Sequence, residues 1–298
     1  MSLVSCERPT ETSPASVVPI VPITEPDSGA QPPAPACPEG MTLVDGGSFT
    51  PAQRANLDEV WGASFDSYNV APFCLATLEA TRKQFHTCIV AGECVPGRDY
   101  HPPVHPSAAH CRLPDIACDG ERAQWPARLL RATAAERYCA FIGARVPTAS
   151  EWMWAAWGGE EARPYPWGTA APDEHKLNVC DWGCLREACC DLEQDVVIDP
   201  LTCGMLPCLD EETLLIDADD GHPGNASPGS YPDGAGRWGH LDLLGNISEL
   251  VRRDDGDWFV CGGDAYSDAS FPLDTAIYES CVPLPGGAFG VRCAADPR

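Results

Sequence analysis

Positive charge is scarce in this chain: 19 Lys and Arg side chains stand against 44 Asp and Glu, a formal net charge of -25. A surface of that sign repels nucleic acid phosphates and anionic lipid headgroups, so no nucleic acid partner is expected. Lysine is rarer still, with Lys83 and Lys176 its sole examples. Arginine supplies the rest, which favours fixed bidentate contacts over loosely solvated charge. Long hydrophobic runs are missing as well. No apolar stretch approaches the ~18 residues needed to cross a bilayer, and the first residues lack the charged and apolar regions of an intact signal peptide. The expectation is a chain that starts after a cleaved leader.

Cysteine, by contrast, is abundant, at 17 of 298 residues, alongside 30 Pro and 27 Gly. Thiols kept reduced would gain nothing from that density. It indicates an oxidising compartment and an exported, disulfide-rich protein, periplasmic or at the cell surface. Apolar residues make up 44% of the chain, enough to bury a sizeable core. Near the start, Leu3-Val4-Ser5-Cys6 resembles the lipobox at which bacterial lipoproteins are cut and lipidated on cysteine. A lipidated Cys6 would anchor the chain to a membrane and leave an even 16 cysteines; the alternative is an ordinary free or paired cysteine in a tail.

From Glu7 to Pro35 the chain is Pro, Ser, Thr and Ala with scattered charges and no periodicity. Such a segment cannot bury enough apolar surface to order itself. Residues 1–36 are therefore expected to form a disordered Pro/Ser/Thr-rich tether, semi-rigid where proline favours polyproline II, and residues 37–298 one folded domain. That domain opens with MTLVDGGSFT, whose alternation into Gly46-Gly47 predicts a half-buried strand and hairpin. Three helices follow, each behind a capping-box spacing: Thr81 with Gln84, Thr133 with Glu136, and Thr148 with Glu151. Their apolar stripes run through Phe85, Cys88 and Ile89, through Ala135, Tyr138, Cys139 and Ile142, and through Trp152, Ala155 and Ala156. Gly92, Gly143 and Gly158 end them.

Several stretches carry donor-rich side chains. In LDLLGNISEL, residues 241–250, Asp242 and Glu249 flank a turn at Gly245-Asn246. Two carboxylates with backbone carbonyls at a glycine turn suit a hard cation such as calcium, although the spacing is not that of an EF-hand; the plainer alternative is a hairpin with exposed acids. His101, His105 and His110 offer nitrogen for zinc or copper, but their proline-broken spacing does not put them on one helix face, and solvent-exposed loop histidines are the better reading. The cluster CDWGCLREACC at residues 180–190 reads as disulfides rather than a thiolate zinc site, with Cys189 and Cys190 bound to different partners. Cys88 and Cys94 flank a short glycine turn and are placed to pair locally. Asn225 and Asn246 match glycosylation acceptors, with Asn246 inside the candidate calcium loop.

The order of MTLVDGGSFT, FCLATLEAT, YCAFIGARVPTASEWMWAAWGG with YPWG, LDLLGNISEL, CGG and FGVRCAAD resembles the formylglycine-generating, or sulfatase-modifying-factor, family, from about Glu39 to the C-terminus. The resemblance implies an α+β fold: a single mixed domain of formylglycine-generating-enzyme type, related to C-type lectins, low in regular secondary structure and braced by two calcium ions. It assigns the second calcium to the side chains of Asp242 and Glu249 with the carbonyls of Gly245 and Ile247, Asp242 replacing an asparagine. It assigns the first to the side chains of Asn178 and Asp220 with the carbonyls of Val179 and His222, beside an insertion between residues 180 and 219. It also implies a bridge from Cys139 to Cys293.

Oxidase members of that family hold copper between two cysteine thiolates after the Gly-Gly pair. Counting from Gly262-Gly263, those positions fall on Ser267 and Pro272, and the flanking family residues become Cys261 and Asp264. A serine hydroxyl is a poor ligand for copper(I) and proline offers none, so no copper is expected. Cys261 or Cys281 would have to escape pairing to substitute. Ser267 has neither a G-x-S-x-G setting nor a neighbouring histidine to make it a nucleophile, which leaves a loop serine in local hydrogen bonds. The non-haem iron chemistry of relatives that make sulfur-containing histidine derivatives needs a separate helical domain that this sequence lacks.

Two functions follow from the resemblance. One is an exported, membrane-tethered, non-catalytic scaffold, monomeric, that binds a protein or glycan, with specificity in the insertion from Cys180 to Leu215. The other is a copper- or otherwise metal-dependent oxidoreductase acting on protein cysteine.

Overall fold

The computed structural model describes residues 36–61, 67–95, 121–181, 214, 216, 218–222, 224–253, 255–267, 280–284 and 288–298. The tether as far as residue 35 with Cys6, the three loop histidines, Cys189, Cys190, Pro272 and most of the insertion lie outside them. The elements are β1 (Met41–Val44), β2 (Gly47–Ser48), α1 (Pro51–Trp61), β3 (Asn69–Val70), β4 (Phe73–Ala76), α2 (Arg82–Val90), α3 (Ala132–Phe141), α4 (Ala149–Ala156), β5 (Glu249–Arg252), β6 (Trp258–Cys261), β7 (Val282–Pro283) and β8 (Ala294–Ala295). This is an α+β fold with little regular structure. Its sheets are antiparallel and small, ordered β1-β4-β8, β2-β3 and β5-β6-β7. At the domain edge Ala36 and Arg298 exchange backbone hydrogen bonds of 3.0 Å, which closes the start of the fold onto its end.

The expected hairpin at Gly46-Gly47 does not form. β1 pairs with β4, Met41 opposite Ala76, while β2 pairs with β3 in a different sheet. The two glycines serve close approach instead of reversal: a Cβ on Gly46 would lie 2.6 Å from the Val70 carbonyl oxygen, and one on Gly47 would lie 2.5 Å from the Trp154 ring. Just after them α1 starts on a reciprocal cap. Gln53 N donates to Thr50 Oγ1 at 3.3 Å and Thr50 N donates to Gln53 Oε1 at 2.8 Å, with Pro51 in the first helical turn.

α2 and α4 carry the capping boxes their sequences foretell, at Thr81 with Gln84 and at Thr148 with Glu151. α3 does not. It begins two residues earlier than the Thr133 box requires, at Ala132, with Arg131 extended and giving no side-chain cap. The entry is set from outside the helix, because Leu129 is bridged to Phe289 and its backbone N donates to the Phe289 carbonyl at 2.7 Å. That register buries Ala134, Ala135, Tyr138 and Cys139, and leaves Ile142, at 43% exposure, off the stripe. Gly92, Gly143 and Gly158 follow the three helices in left-handed backbone, as expected of a C-terminal stop.

Two apolar clusters form the core. One gathers around α4, which is buried along its whole length, with Phe49 edge-on to Trp154 and Trp157 at 5.1 and 5.7 Å. The indole N–H groups find acceptors, Trp154 at the Asp45 carbonyl and Trp152 at Glu249, as buried tryptophans require. The other cluster joins α2 and α3 to the last strand region. Disulfides link Cys37 to Cys74, Cys88 to Cys94, Cys139 to Cys293 and Cys261 to Cys281, so both expected pairings are present. Cys180 is also disulfide-bonded.

The packing at Gly47 yields a stability prediction. Gly47→Ala drives a methyl into the Trp154 ring and is expected to cost ~1–3 kcal/mol in urea unfolding. Gly92→Ala, where the added methyl meets open space and only the left-handed φ is strained, should cost about 1 kcal/mol. A Gly47→Ala chain as stable as the parent would contradict this contact.

Candidate functional site

The stretch from Leu241 to Glu249 is a loop that runs into β5, and its turns need left-handed backbone at Asp242, Gly245 and Asn246, with φ of 57°, 82° and 56°. It is not a hairpin with exposed acids. Asp242 and Glu249 are 4% and 1% exposed, and burial without partners would make ionised carboxylates untenable. Glu249 is held by Arg292, which is itself fully buried, through bonds of 2.7–3.1 Å from Nε and Nη2, and by the Trp152 indole at 2.8 Å. Arg292 also donates to the carbonyls of Ala76, Thr77 and Leu241 at 3.0, 2.8 and 2.6 Å. Every donor of the guanidinium fork is thereby used. Burial works against its charge, but Glu249 more than offsets this and holds Arg292 above its usual range.

Two further acids share this interior. Asp242 accepts from Gly229 N at 2.6 Å, and burial pushes its carboxyl up to about 6. Glu79, at the turn between β4 and α2, is 2% exposed; burial first, then the charges of Asp242 and Glu249, raise it well above the carboxylate range. Its Oε1 accepts from Asn246 Nδ2 at 3.1 Å, whereas Oε2 has no hydrogen-bond partner among the described residues. His240 is buried beside Arg292, and burial lowers it to about 3, so its Nε2–H donates to the Leu75 carbonyl from a neutral ring.

The first expected set of calcium ligands approaches the same loop. Asn178 Nδ2 donates to the Gly224 carbonyl at 2.9 Å and to Asn246 Oδ1 at 3.1 Å, while Asn246 N donates to the Asn178 carbonyl at 2.7 Å. Two acceptors on Nδ2 fix the amide orientation and leave Asn178 Oδ1 buried without a partner among the described residues. Asp220 lies in a turn, accepting from His222 N at 2.8 Å and from the Tyr231 hydroxyl at 2.9 Å, and burial pushes it up to about 6. Among the described residues no three His, Cys, Asp or Glu side chains converge as a metal-holding group. A hard cation here needs amide and backbone oxygens beside any carboxylate, and the carbonyls of Val179, Gly245 and Ile247 accept no backbone hydrogen bond among the described residues. The orphaned Asn178 oxygen and these carbonyls fit calcium chemistry. Glu249, engaged by Arg292, is the ligand whose oxygens are already occupied.

The Gly-Gly pair ends β6 against this loop. Gly245 N donates to the Gly262 carbonyl at 2.8 Å, and a Cβ on Gly262, at φ 94°, would lie 2.8 Å from the Leu243 carbonyl oxygen. Beyond it the chain turns on Asp264: Asp264 N donates to Ser267 Oγ at 2.9 Å, and Ser267 N donates to the Asp264 carbonyl at 3.0 Å. The Ser267 hydroxyl is thus part of a local turn, as the sequence suggests. Cys261 and Cys281 are joined to each other. Neither glycosylation motif is open to solvent: Asn225 and Asn246 are 6% and 1% exposed, and the Asn225 amide donates to the Asn246 carbonyl. Away from this region a cleft of about 480 Å³ opens between α3 and the β5–β6 pair, lined by Glu136, Arg145, Thr148, Arg252 and Trp258 among others.

Glu79 and Arg292 organise the site without having had a role assigned from sequence, and Asn246, read there as a turn residue and glycosylation acceptor, joins them. Each sits inside a quoted motif, and a buried charge at a fixed motif position was the available signal. Small antiparallel sheets, long ordered loops and this loop constellation define a scaffold of the sulfatase-modifying type. The chain belongs to that family: the FGE-sulfatase model, for the sulfatase-modifying factor enzyme 1-like domain, matches residues 27–297. Among solved structures, PvdO from Pseudomonas aeruginosa is similar at 16% identity over 86% of this chain and 94% of that one, with a TM-score of 0.51. CarF is similar at 16% identity over 87% and 98%, with a TM-score of 0.49. The likeness to PvdO, at that identity, is one of fold.

His240 makes the fold acid-sensitive in a defined direction. Its folded value, about 3, lies below the ordinary 6.5, so its contribution to stability is complete above pH 6.5 and is lost as pH falls from there. His240→Gln should flatten that fall between pH 6.5 and 4 by up to about 1.4 kcal/mol per pH unit. Urea titrations across that range measure it; parallel curves for parent and variant would mean that His240 protonates within the fold.

Proposed function

We propose that this protein is an exported, non-catalytic member of the sulfatase-modifying-factor family, a calcium- and disulfide-braced scaffold that works by binding a protein or glycan. The observation that carries this reading is the Ser267 turn. The position at which the family's oxidases place their first copper thiolate holds a hydroxyl bonded to its own loop, and the nearby thiols of Cys261 and Cys281 are consumed in a disulfide. A soft copper(I) ion needs thiolate, thioether or imidazole donors, and the described part of this loop presents none.

Calcium would brace the loops. Asn178, Val179, Asp220 and His222 would hold one ion, and the loop from Asp242 to Glu249 a second. The ion supplies charge compensation and cross-linking of irregular backbone, not chemistry at a substrate. The α3 to β5–β6 cleft offers a concave surface with an aromatic wall at Trp258, where Arg252 stacks at 5.3 Å, and suits a non-covalent ligand. A lipidated Cys6 with the proline-rich tether would hold a monomer away from a membrane surface.

The decisive assay incubates purified, copper-loaded, calcium-replete protein with oxygen and a peptide containing Cys-x-Pro-x-Arg, and follows the cysteine by mass spectrometry. No aldehyde is expected; turnover would make the protein an oxidase with unconventional ligands. Separately, exhaustive chelation should lower the melting temperature, with calcium found by elemental analysis before stripping. An unchanged melt and no calcium would remove the ion from this reading.

A further inference from the structure

The buried interior around Arg292 is short of positive charge. Glu79, Asp242, Glu249 and Arg292 are all at 4% exposure or less, and the neutral His240 adds nothing. Three buried carboxyl groups share one guanidinium, so Glu79 and Asp242 can ionise here only against a severe low-dielectric penalty. A divalent cation balances it. The motif assigns that cation to Asp242 and Glu249, yet both Glu249 oxygens already accept from Arg292, and one from Trp152 as well. Glu79 presents the opposite case. Asn246 Nδ2 pins its Oε1, and its Oε2 is buried with no partner among the described residues.

We infer that the second cation is held by the carboxylates of Glu79 and Asp242 together with the Gly245 and Ile247 carbonyls, and that Glu249 serves as the counter-ion of Arg292 rather than as a ligand. This rests on the calcium reading and changes which side chains carry it. A hard cation accepts such a mixed set of carboxylate and carbonyl oxygens and completes its shell with water. The arrangement explains why a carboxylate stands at the turn before α2 with one oxygen fixed and the other bare: Asn246, on the loop that supplies the carbonyls, orients it.

The test uses the full chain, stripped with chelator and titrated with calcium alone by calorimetry, with elemental analysis of the dialysed protein. The parent should bind two equivalents. Glu79→Gln should lose one of them, or bind it at least ~10-fold more weakly, a carboxylate being a far better calcium ligand than an amide. Glu249→Gln should keep both equivalents while melting lower by the same amount with and without calcium. Glu79→Asp, which keeps the charge but retracts it, guards against a folding failure and should weaken one site only. Terbium excited through Trp152 gives a second readout, a shorter lifetime in water for Glu79→Gln because water replaces the lost oxygen. Retention of both equivalents at parental affinity in Glu79→Gln, or loss of one in Glu249→Gln, would overturn the inference and leave the calcium reading standing. A parent chain that binds no calcium would overturn both.

Discussion

The ion pair between Arg292 and Glu249 is the contact on which the architecture turns. Its guanidinium reaches the end of β4, through the Ala76 and Thr77 carbonyls, and both ends of the Leu241–Glu249 loop. The next residue, Cys293, is disulfide-linked to α3. One short segment therefore joins the first sheet, the central loop and the helical cluster. Buried pairs of this kind seldom add net stability over an apolar packing, but removing one partner strands a charge at a cost of ~3–5 kcal/mol. Their value is to permit one arrangement of the chain and penalise others, which matters in a fold with strands of two to four residues.

With so little ladder hydrogen bonding, the irregular segments must be fixed by side chains. Asn246 shows how. Its side chain bonds Asn178, Ala226 and Glu79, and its backbone bonds Asn178 and Ala265, so five segments meet at one residue. The disulfides act at the same level: Cys37 to Cys74 ties the domain's first residues to β4, and Cys261 to Cys281 secures the end of β6. A loop-rich, acidic protein with these cross-links keeps its shape where a small apolar core alone would not suffice.

The same economy bears on function. The family scaffold is retained around the Gly262-Gly263 pair, where backbone from Gly245 and Ser280 closes on the end of β6. In the loop that follows, Asp264 and Ser267 bond each other. Likeness at 16% identity is a likeness of scaffold, and chemistry is carried by the loops grafted on it.

Features written within a few residues were legible in the sequence. The Thr81 and Thr148 caps, the helix-ending glycines and the Cys88–Cys94 bridge depend on local spacing, and they stand as the spacing implies. The cap at Thr50 was equally local, but Pro51 and a polar helix face concealed it. Family order supplied the longer bridge from Cys139 to Cys293. The partner of β1 was not legible, because whether Gly46-Gly47 turns the chain or makes room for Trp154 depends on where a residue about a hundred positions away comes to rest. Nor was the cluster of Glu79, Asp242, Glu249 and Arg292. Asp242 and Glu249 share one loop while Glu79 and Arg292 come from elsewhere, and only packing these three segments into one dry interior makes their charges a single problem with a shared solution.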